Sequence, residues 1–183
     1  MAGVGMRLEG QDAALQQLGG MIARAQHPRG MFERIGASLV TSTQRRFETG
    51  TAPDGSPWPP SLRALAGGGK TLIDTARMMQ SQTFVATDAA VEVGTNVIYA
   101  AIHQFGGDIT HQARTQTLHR KRNKRSGKLS GFVKAGKGNF SQDVEIGAHT
   151  THIPARPFLG IDDDDEREII LIAEDWLRAE ARP

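Results

Sequence analysis

Between residues 109 and 140 the chain shows no sustained hydrophobic period, holds few apolar residues and is rich in Lys, Arg, Gly and Ser. Such a segment cannot bury enough surface to make a core, so the fold must be closed by what lies on either side, with 109–141 inserted as a mobile loop or long hairpin arm. Charge is sorted along the same division. Residues 1–108 carry 9 Lys/Arg and 9 Asp/Glu, residues 109–156 carry 10 and 2, and residues 157–183 carry 3 and 9, so nets of 0, +8 and −6 hide behind a total of +2. A basic segment seeks an anion and an acidic one a cation. The basic stretch therefore has two candidate targets, nucleic acid or the acidic tail of a neighbouring copy, with a merely solvated loop as the bland third reading.

The flanks do carry periods. Leu15, Leu18, Met21, Ile22 and Ala25 recur at helical spacing from Asp12 to Ala25, and His27-Pro28 ends the run. A second helix is predicted from Met31 to Phe47, with Phe32, Ile35, Leu39, Thr43 and Phe47 on one face and Glu33, Arg34, Gln44 and Arg45 largely opposite. The string 50-GTAPDGSPWPPS admits neither helix nor strand, because its prolines lack a donor and fix the backbone; Trp58 is expected to pin this loop to the body. After a short turn at Ser61 to Leu65 and a flexible 67-GGG, Leu72 to Gln82 reads as a helical piece with Asp74 near its start. The period then changes to two. Thr83, Val85 and Thr87 alternate with Phe84 and Ala86, and Val91 and Val93 with Glu92 and Gly94, which is a hairpin turning near Asp88-Ala89.

The next string, 98-IYAAIHQFGG, makes one or two helical turns stopped by Gly106-Gly107, and Val144, Ile146 and Ala148 mark a strand leading into 153-IPARPFLGI. Ile169, Ile172, Ala173, Trp176 and Leu177 form a C-terminal amphipathic stripe able to dock on a sheet, with the Trp176 face as core. Asp162 to Asp165 precede it, where the helix dipole favours anions and free amides need caps. The expected fold is α+β in a single domain over 1–183. A small, mainly antiparallel sheet including residues 83–94 and about 142–153 would be packed by the N-terminal helices and the C-terminal helix.

No catalytic constellation emerges. Zero cysteines exclude disulfides, thiolate metal sites and a cysteine nucleophile, and fit a reducing cytoplasm. No apolar run approaches the roughly 20 residues that span a bilayer, and MAGVGMRLEGQD lacks the charged start and apolar stretch of a signal peptide. Gly69-Lys70-Thr71 has the end of a phosphate loop but not its beginning, since Ala64 stands where the first glycine belongs and prolines where a buried strand should be. His149 and His152 are three apart, which in a strand aims them at opposite faces, and no carboxylate lies beside them to complete a zinc set. His103 reads as a packed, hydrogen-bonded side chain at a helix end rather than a general base. Arg120, Lys121, Arg122, Lys124, Arg125 and Lys128 are the one functional signal. They supply phosphate contacts with no base-reading frame, so binding would be sequence-blind and salt-dependent, and Phe132 and Phe140 are too few for a single-strand stacking platform.

Four strings, 53-PDGSPWPPS, 72-LIDTARMMQS, 94-GTNVIYAAIHQFGG and 153-IPARPFLGI, stand in an order and at separations that resemble the phage virion morphogenesis or tail completion family of Mu-like and P2-like tailed bacteriophages. The resemblance covers about residues 10–180, with 109–152 reading as an expanded loop between two family strings. It implies a structural virion protein of the neck, as tail terminator, completion protein or head-tail connector, with no enzymatic activity, catalytic residue, metal or cofactor. It implies a homo-oligomeric ring, a hexamer, around the DNA channel, touching neighbouring neck and tail proteins, with no membrane; non-specific contact with genomic double-stranded DNA is the expectation from the basic residues, not from the resemblance. Such a protein would be assembled in the bacterial host cytoplasm and reside in the virion. Arg120, Lys121, Arg122, Lys124, Arg125 and Lys128 are then the candidates for the channel, and Phe158 with Asp162, Asp163, Asp164 and Asp165 those for the subunit interface. The alternative class is a stand-alone, sequence-nonspecific nucleic-acid-binding protein.

Overall fold

The computed structural model describes residues 11–178; most of the stretch read for a signal peptide lies outside them. The chain divides into two compact units, one made of Met1–Phe105 with Ala155–Pro183, the other of Gly106–Pro154.

In the first unit the two N-terminal helices form as their periods predict, α1 over Gln11–Gln26 and α2 over Arg29–Thr49. Pro28 separates them, and Gly50, at φ 74°, ends α2 by donating its N–H to the Arg46 carbonyl at 2.8 Å. The inward face of α2 carries Ile35, Thr43 and Phe47 as expected, together with Arg46, which the sequence did not mark as buried. Phe47 is the centre of the core. It meets Trp58 edge-on at 5.6 Å and Phe158 at 5.1 Å, with Ala52, Met78, Val97 and Ala100 completing a small cluster. Trp58 is the expected plug, its Nε1 donating to the Pro157 carbonyl at 2.8 Å and its backbone N–H to Gly50.

A short helix, α3 (Leu62–Gly67), is capped by the Ser61 hydroxyl, which accepts from the Ala64 amide. The helix expected over Leu72–Gln82 shrinks to one turn, α4 (Arg77–Gln80), because Leu72 (φ 63°) and Ala76 (φ 58°) take left-handed backbone that no right-handed helix includes. The hairpin forms as read, β1 (Thr83–Ala86) pairing antiparallel with β2 (Val91–Gly94). The Phe84 ring lies so close to Gly36 that a Cβ there would meet it at 2.4 Å, so α2 needs glycine to reach the hairpin. Next comes α5 (Ala100–Phe105), stopped by Gly106 (φ 71°) and Gly107 (φ 140°).

The last helix, α6 (Asp163–Arg178), packs along α2 and α1 rather than on a sheet. The reason is size: the sheet of this unit has two strands of four residues, and α2 already covers it. Trp176 sits against Gly30, where a Cβ would meet its ring at 2.5 Å, and donates from Nε1 to the Arg24 carbonyl at 3.3 Å. Arg24 in turn donates from Nη2 to the Leu177 carbonyl at 2.7 Å, satisfying an acceptor of the last turn. The Trp176 stripe is half-buried and not core, while Leu15, Ile22, Ile170 and Leu171 remain more than half exposed.

The second unit is a long antiparallel ribbon. β3 (Gly107–His111) pairs with β7 (His149–Ile153), and β4 (Arg114–Arg122) with β6 (Phe140–Ile146). The register is the same on both sides of the break, since His111 faces His149 and Arg114 faces Ile146, so this is one hairpin rather than two. Sixteen residues at strand rise make it roughly 50 Å long. β5 (Leu129–Phe132) adds a third strand near the tip, in the order β5-β4-β6. Residues 83–94 and 142–153 therefore do not share a sheet, contrary to the expectation. The partners of β6 and β7 come from the basic stretch itself, whose strands bury nothing fully and so left no apolar period to read.

Candidate functional site

The ribbon has two unlike faces. Residues opposite one another in an antiparallel ladder share a face, so Arg114, Gln116, Leu118 and Arg120 lie with Ile146, Val144, Gln142 and Phe140, and Phe132 of β5 joins them opposite Arg120. The Arg120 guanidinium rests 4.4 Å from the Phe132 centroid and that of Arg122 5.9 Å from Phe140. The two phenylalanines thus serve as supports for arginines. Lys121 projects to the other face, which also holds Asp143 and Glu145; there Thr117 donates to Asp143 at 2.6 Å and His119 Nδ1 meets the Ser141 hydroxyl at 2.9 Å. Uncompensated charge is therefore concentrated on the arginine face and at the tip.

The tip is shaped by local chemistry. Asn123 Oδ1 accepts from the Arg125 and Ser126 amides, Gly127 turns at φ 68°, and the Asn123 amide donates to the Lys128 carbonyl. Asn139 clamps Arg122 from both sides, accepting from its amide at 2.5 Å and donating to its carbonyl at 2.9 Å. A Cβ at Gly138 would stand 2.8 Å from the Arg120 carbonyl, so this close approach also requires glycine. The result is an open cavity of about 460 Å³ lined by Lys121, Arg122, Lys128 and Lys137 among others. Of the six expected basic residues, Arg120 and Arg122 share a face, Lys121 opposes them, and Lys124, Arg125 and Lys128 ring the turn. At the base, His111 stacks on His149 at 4.7 Å and His152 pairs with Asp108 at 2.7 Å, so His149 and His152 do face apart.

The aspartate run is divided by geometry. Asp162 Oδ1 accepts from the Asp165 amide at 2.8 Å and Asp165 Oδ2 from the Asp162 amide at 3.1 Å, a reciprocal cap on α6. Both carboxylates also take the Arg46 guanidinium, Asp162 at 2.9 Å and Asp165 more closely, while Arg46 Nη1 donates to the Phe158 and Gly160 carbonyls. Burial alone would raise the Asp162 carboxyl, but the Arg46 hydrogen bond, the Asp165 amide and the charges of Arg46 and Arg45 outweigh it and hold it below its ordinary value. Asp163 and Asp164 stay exposed, Asp164 pairing with Arg167 at 2.7 Å. Phe158, expected at a subunit surface, is core at 1% exposure; its ring is consumed by Phe47. Sequence reasoning missed Arg46. Its signal was an arginine one residue before Phe47 on an apolar face, with a D-x-x-D pair downstream to receive it.

His103 is half-buried as expected but not hydrogen-bonded as expected, since its Nδ1 is buried without a partner among the described residues. No group of three or more His, Asp or Glu among the described residues could hold a metal ion, and no helix there is long and apolar enough to cross a membrane. Gly69-Lys70-Thr71 follows a short helix, not a strand, and its Lys70 carbonyl accepts from Arg63.

Comparison with known proteins bears on these surfaces. The sequence model of the phage virion morphogenesis family matches residues 10–178. The Mu-like prophage FluMu G protein 2 of Haemophilus influenzae is 28% identical over 152 residues, covering 83% of this chain and 80% of that protein. No solved structure matches the chain.

Proposed function

The chain belongs to the phage virion morphogenesis family, and from that premise we propose that this virion structural protein completes the tail or joins it to the head at the neck. In this reading it is a homo-oligomeric ring, a hexamer, in contact with neighbouring neck and tail proteins. Its arginine face and basic tip meet genomic double-stranded DNA in the channel through phosphates alone. The observation that carries the reading is the ribbon of Gly106–Pro154, in which no residue is fully buried and which holds nine Lys/Arg and no Asp/Glu between residues 109 and 142. A surface so built gains its free energy from contact with something else. Arg120 and Arg122, carried on aromatic rings, present planar guanidiniums with no acid on their face. No base-reading element accompanies them, so contact is sequence-blind and weakens steeply with salt, which suits DNA that must slide.

The acidic face of α6 supplies the second surface. Asp163 and Asp164 are exposed to a neighbouring copy, Asp164 while paired with Arg167, whereas Asp162 and Asp165 are held by Arg46. Exposed pairs contribute about 0–1 kcal/mol each, so such charges set register more than affinity. Native mass of the isolated protein and of the protein released from virions, together with cryo-EM of an assembled neck, tests the reading. A ring with the basic tips on its lumen is expected. A monomer or dimer that binds DNA and is missing from virions would favour the stand-alone nucleic-acid-binding class, and basic tips on the outer surface would defeat the channel role.

A further inference from the structure

Two arginines are buried in the first unit and only one of them is neutralised. Arg46 is 3% exposed and holds two carboxylates, while Arg156 is 5% exposed and pairs with none among the described residues. Arg156 Nε donates to the Pro59 carbonyl at 2.7 Å and its amide to the His103 carbonyl at 2.7 Å; its Nη1 and Nη2 donate to nothing there. The guanidinium is largely buried with no counter-charge among the described residues, yet its Nη donors keep contact with solvent and so stay open to an incoming acceptor. Burial lowers its pKa, and burial first, then the Arg156 charge, lowers that of His103 beside it.

Arg156 opens on a cavity of about 320 Å³ lined also by Arg63, Asp74, Arg77, Tyr99 and His103. Part of the wall is strained, since Leu72 and Ala76 both line it in left-handed backbone. The charge of Arg63 is spent locally: it donates to the Lys70 and Ile73 carbonyls and stands 3.9 Å from Asp74. Arg77 and Arg156 are left without an acid among the described residues. The strings 53–61, 72–81, 94–107 and 153–161, far apart in the chain, each contribute to this lining.

We propose that this cavity is a receptor for one carboxylate side chain of another protein chain. A planar carboxylate accepts two parallel N–H bonds from a guanidinium, the geometry that Nη1 and Nη2 of Arg156 leave unused, and Arg77 adds a second cation. A duplex phosphate fits less well, because its neighbouring phosphates would be brought against Asp74 on the rim, whereas a single acidic side chain brings one charge. The assignment does not depend on the ring reading, and it names the chemistry by which a virion neighbour is recognised.

The test uses the full chain with isotope-labelled arginine and histidine. The probe is an acetylated and amidated Gly-Glu-Gly tripeptide, with Gly-Gln-Gly and inorganic phosphate as the comparison arms. Saturable shifts of the Arg156 Nε–H and His103 ring signals with the Glu peptide, and a rise in the His103 titration midpoint as the anion offsets Arg156, are expected. Arg156→Lys, which keeps the charge but loses the fork, should abolish saturation. If that variant does not fold, Arg77→Gln decides on a rim residue whose loss leaves the core intact; it should weaken binding roughly fivefold. Absence of saturable shifts, equal shifts with the Gln peptide, tighter binding of phosphate than of the Glu peptide, or unchanged affinity in Arg77→Gln would each overturn the proposal.

Discussion

Arg46 and Asp165 form a buried ion pair, with 4% of each side chain exposed, that ties the inner face of α2 to the first turn of α6. Asp162 completes it from the N-cap position. Removing Arg46 leaves the buried Asp165 carboxylate stranded, so Arg46→Ala should cost about 3–5 kcal/mol in urea unfolding, and Asp165→Ala should cost less, because Asp162 still pairs with Arg46. Asp163→Asn and Asp164→Asn should each stay within about 0.5 kcal/mol. Equal losses at all four aspartates would show that the run acts as one charge cluster.

Asp162 also sets an acid limit. Its carboxyl titrates below the ordinary 3.8 when folded, so the unfolded chain binds the proton first as pH falls. The stabilisation is complete above that ordinary value and is lost on descending through it toward the folded value. Unfolding free energy measured from about pH 5 downward should fall more steeply in the parent than in Asp162→Asn.

His103 acts in the same direction at higher pH. Its folded titration lies below the ordinary 6.5 because burial, then Arg156, disfavours the imidazolium. The unfolded chain therefore protonates first, and stability present above pH 6.5 declines as pH drops through it. His103→Gln should remove that part of the slope between pH 7.5 and 5.5, readable by thermal unfolding at a series of pH values around the ordinary histidine midpoint of about 6.5.

Gly30 and Trp176 should prove strongly coupled. Alanine in a helix is ordinarily worth up to about 1 kcal/mol over glycine, yet a Cβ at Gly30 would meet the Trp176 ring at 2.5 Å. Gly30→Ala should therefore destabilise by about 1–3 kcal/mol in the parent and become neutral or stabilising in Trp176→Ala. Trp176→Ala alone should cost about 2–3 kcal/mol, below the 3–5 of a fully buried tryptophan, because the ring is half-buried. A double-mutant cycle with no coupling would contradict this packing.

The two faces of the ribbon should separate in DNA binding. Arg120→Gln with Arg122→Gln should lower the slope of log affinity against log salt by about 2, on random-sequence duplexes, and Lys121→Gln should change it far less. Fluorescence anisotropy across sodium chloride concentrations reads this directly. Equal effects from both faces would mean that the basic segment acts as a diffuse charge.

Local rules settled much of this protein from sequence alone. Helical periods placed α1, α2 and α6, a switch to period two placed β1 and β2, and the Pro-rich string around Trp58 marked a pinned loop, because each depends on neighbours a few residues apart. The ordered strings carried the family, and composition showed that 109–140 makes no core. Only the tertiary structure decided the rest. It paired the basic stretch with residues 140–153 as one ribbon, sent Phe158 inward, gave two of four aspartates to Arg46 and left Arg156 without an acid among the described residues. Those outcomes rest on contacts between residues 20 to 119 positions apart, where burial and counter-charge are fixed by which surfaces meet, and no local pattern encodes that choice.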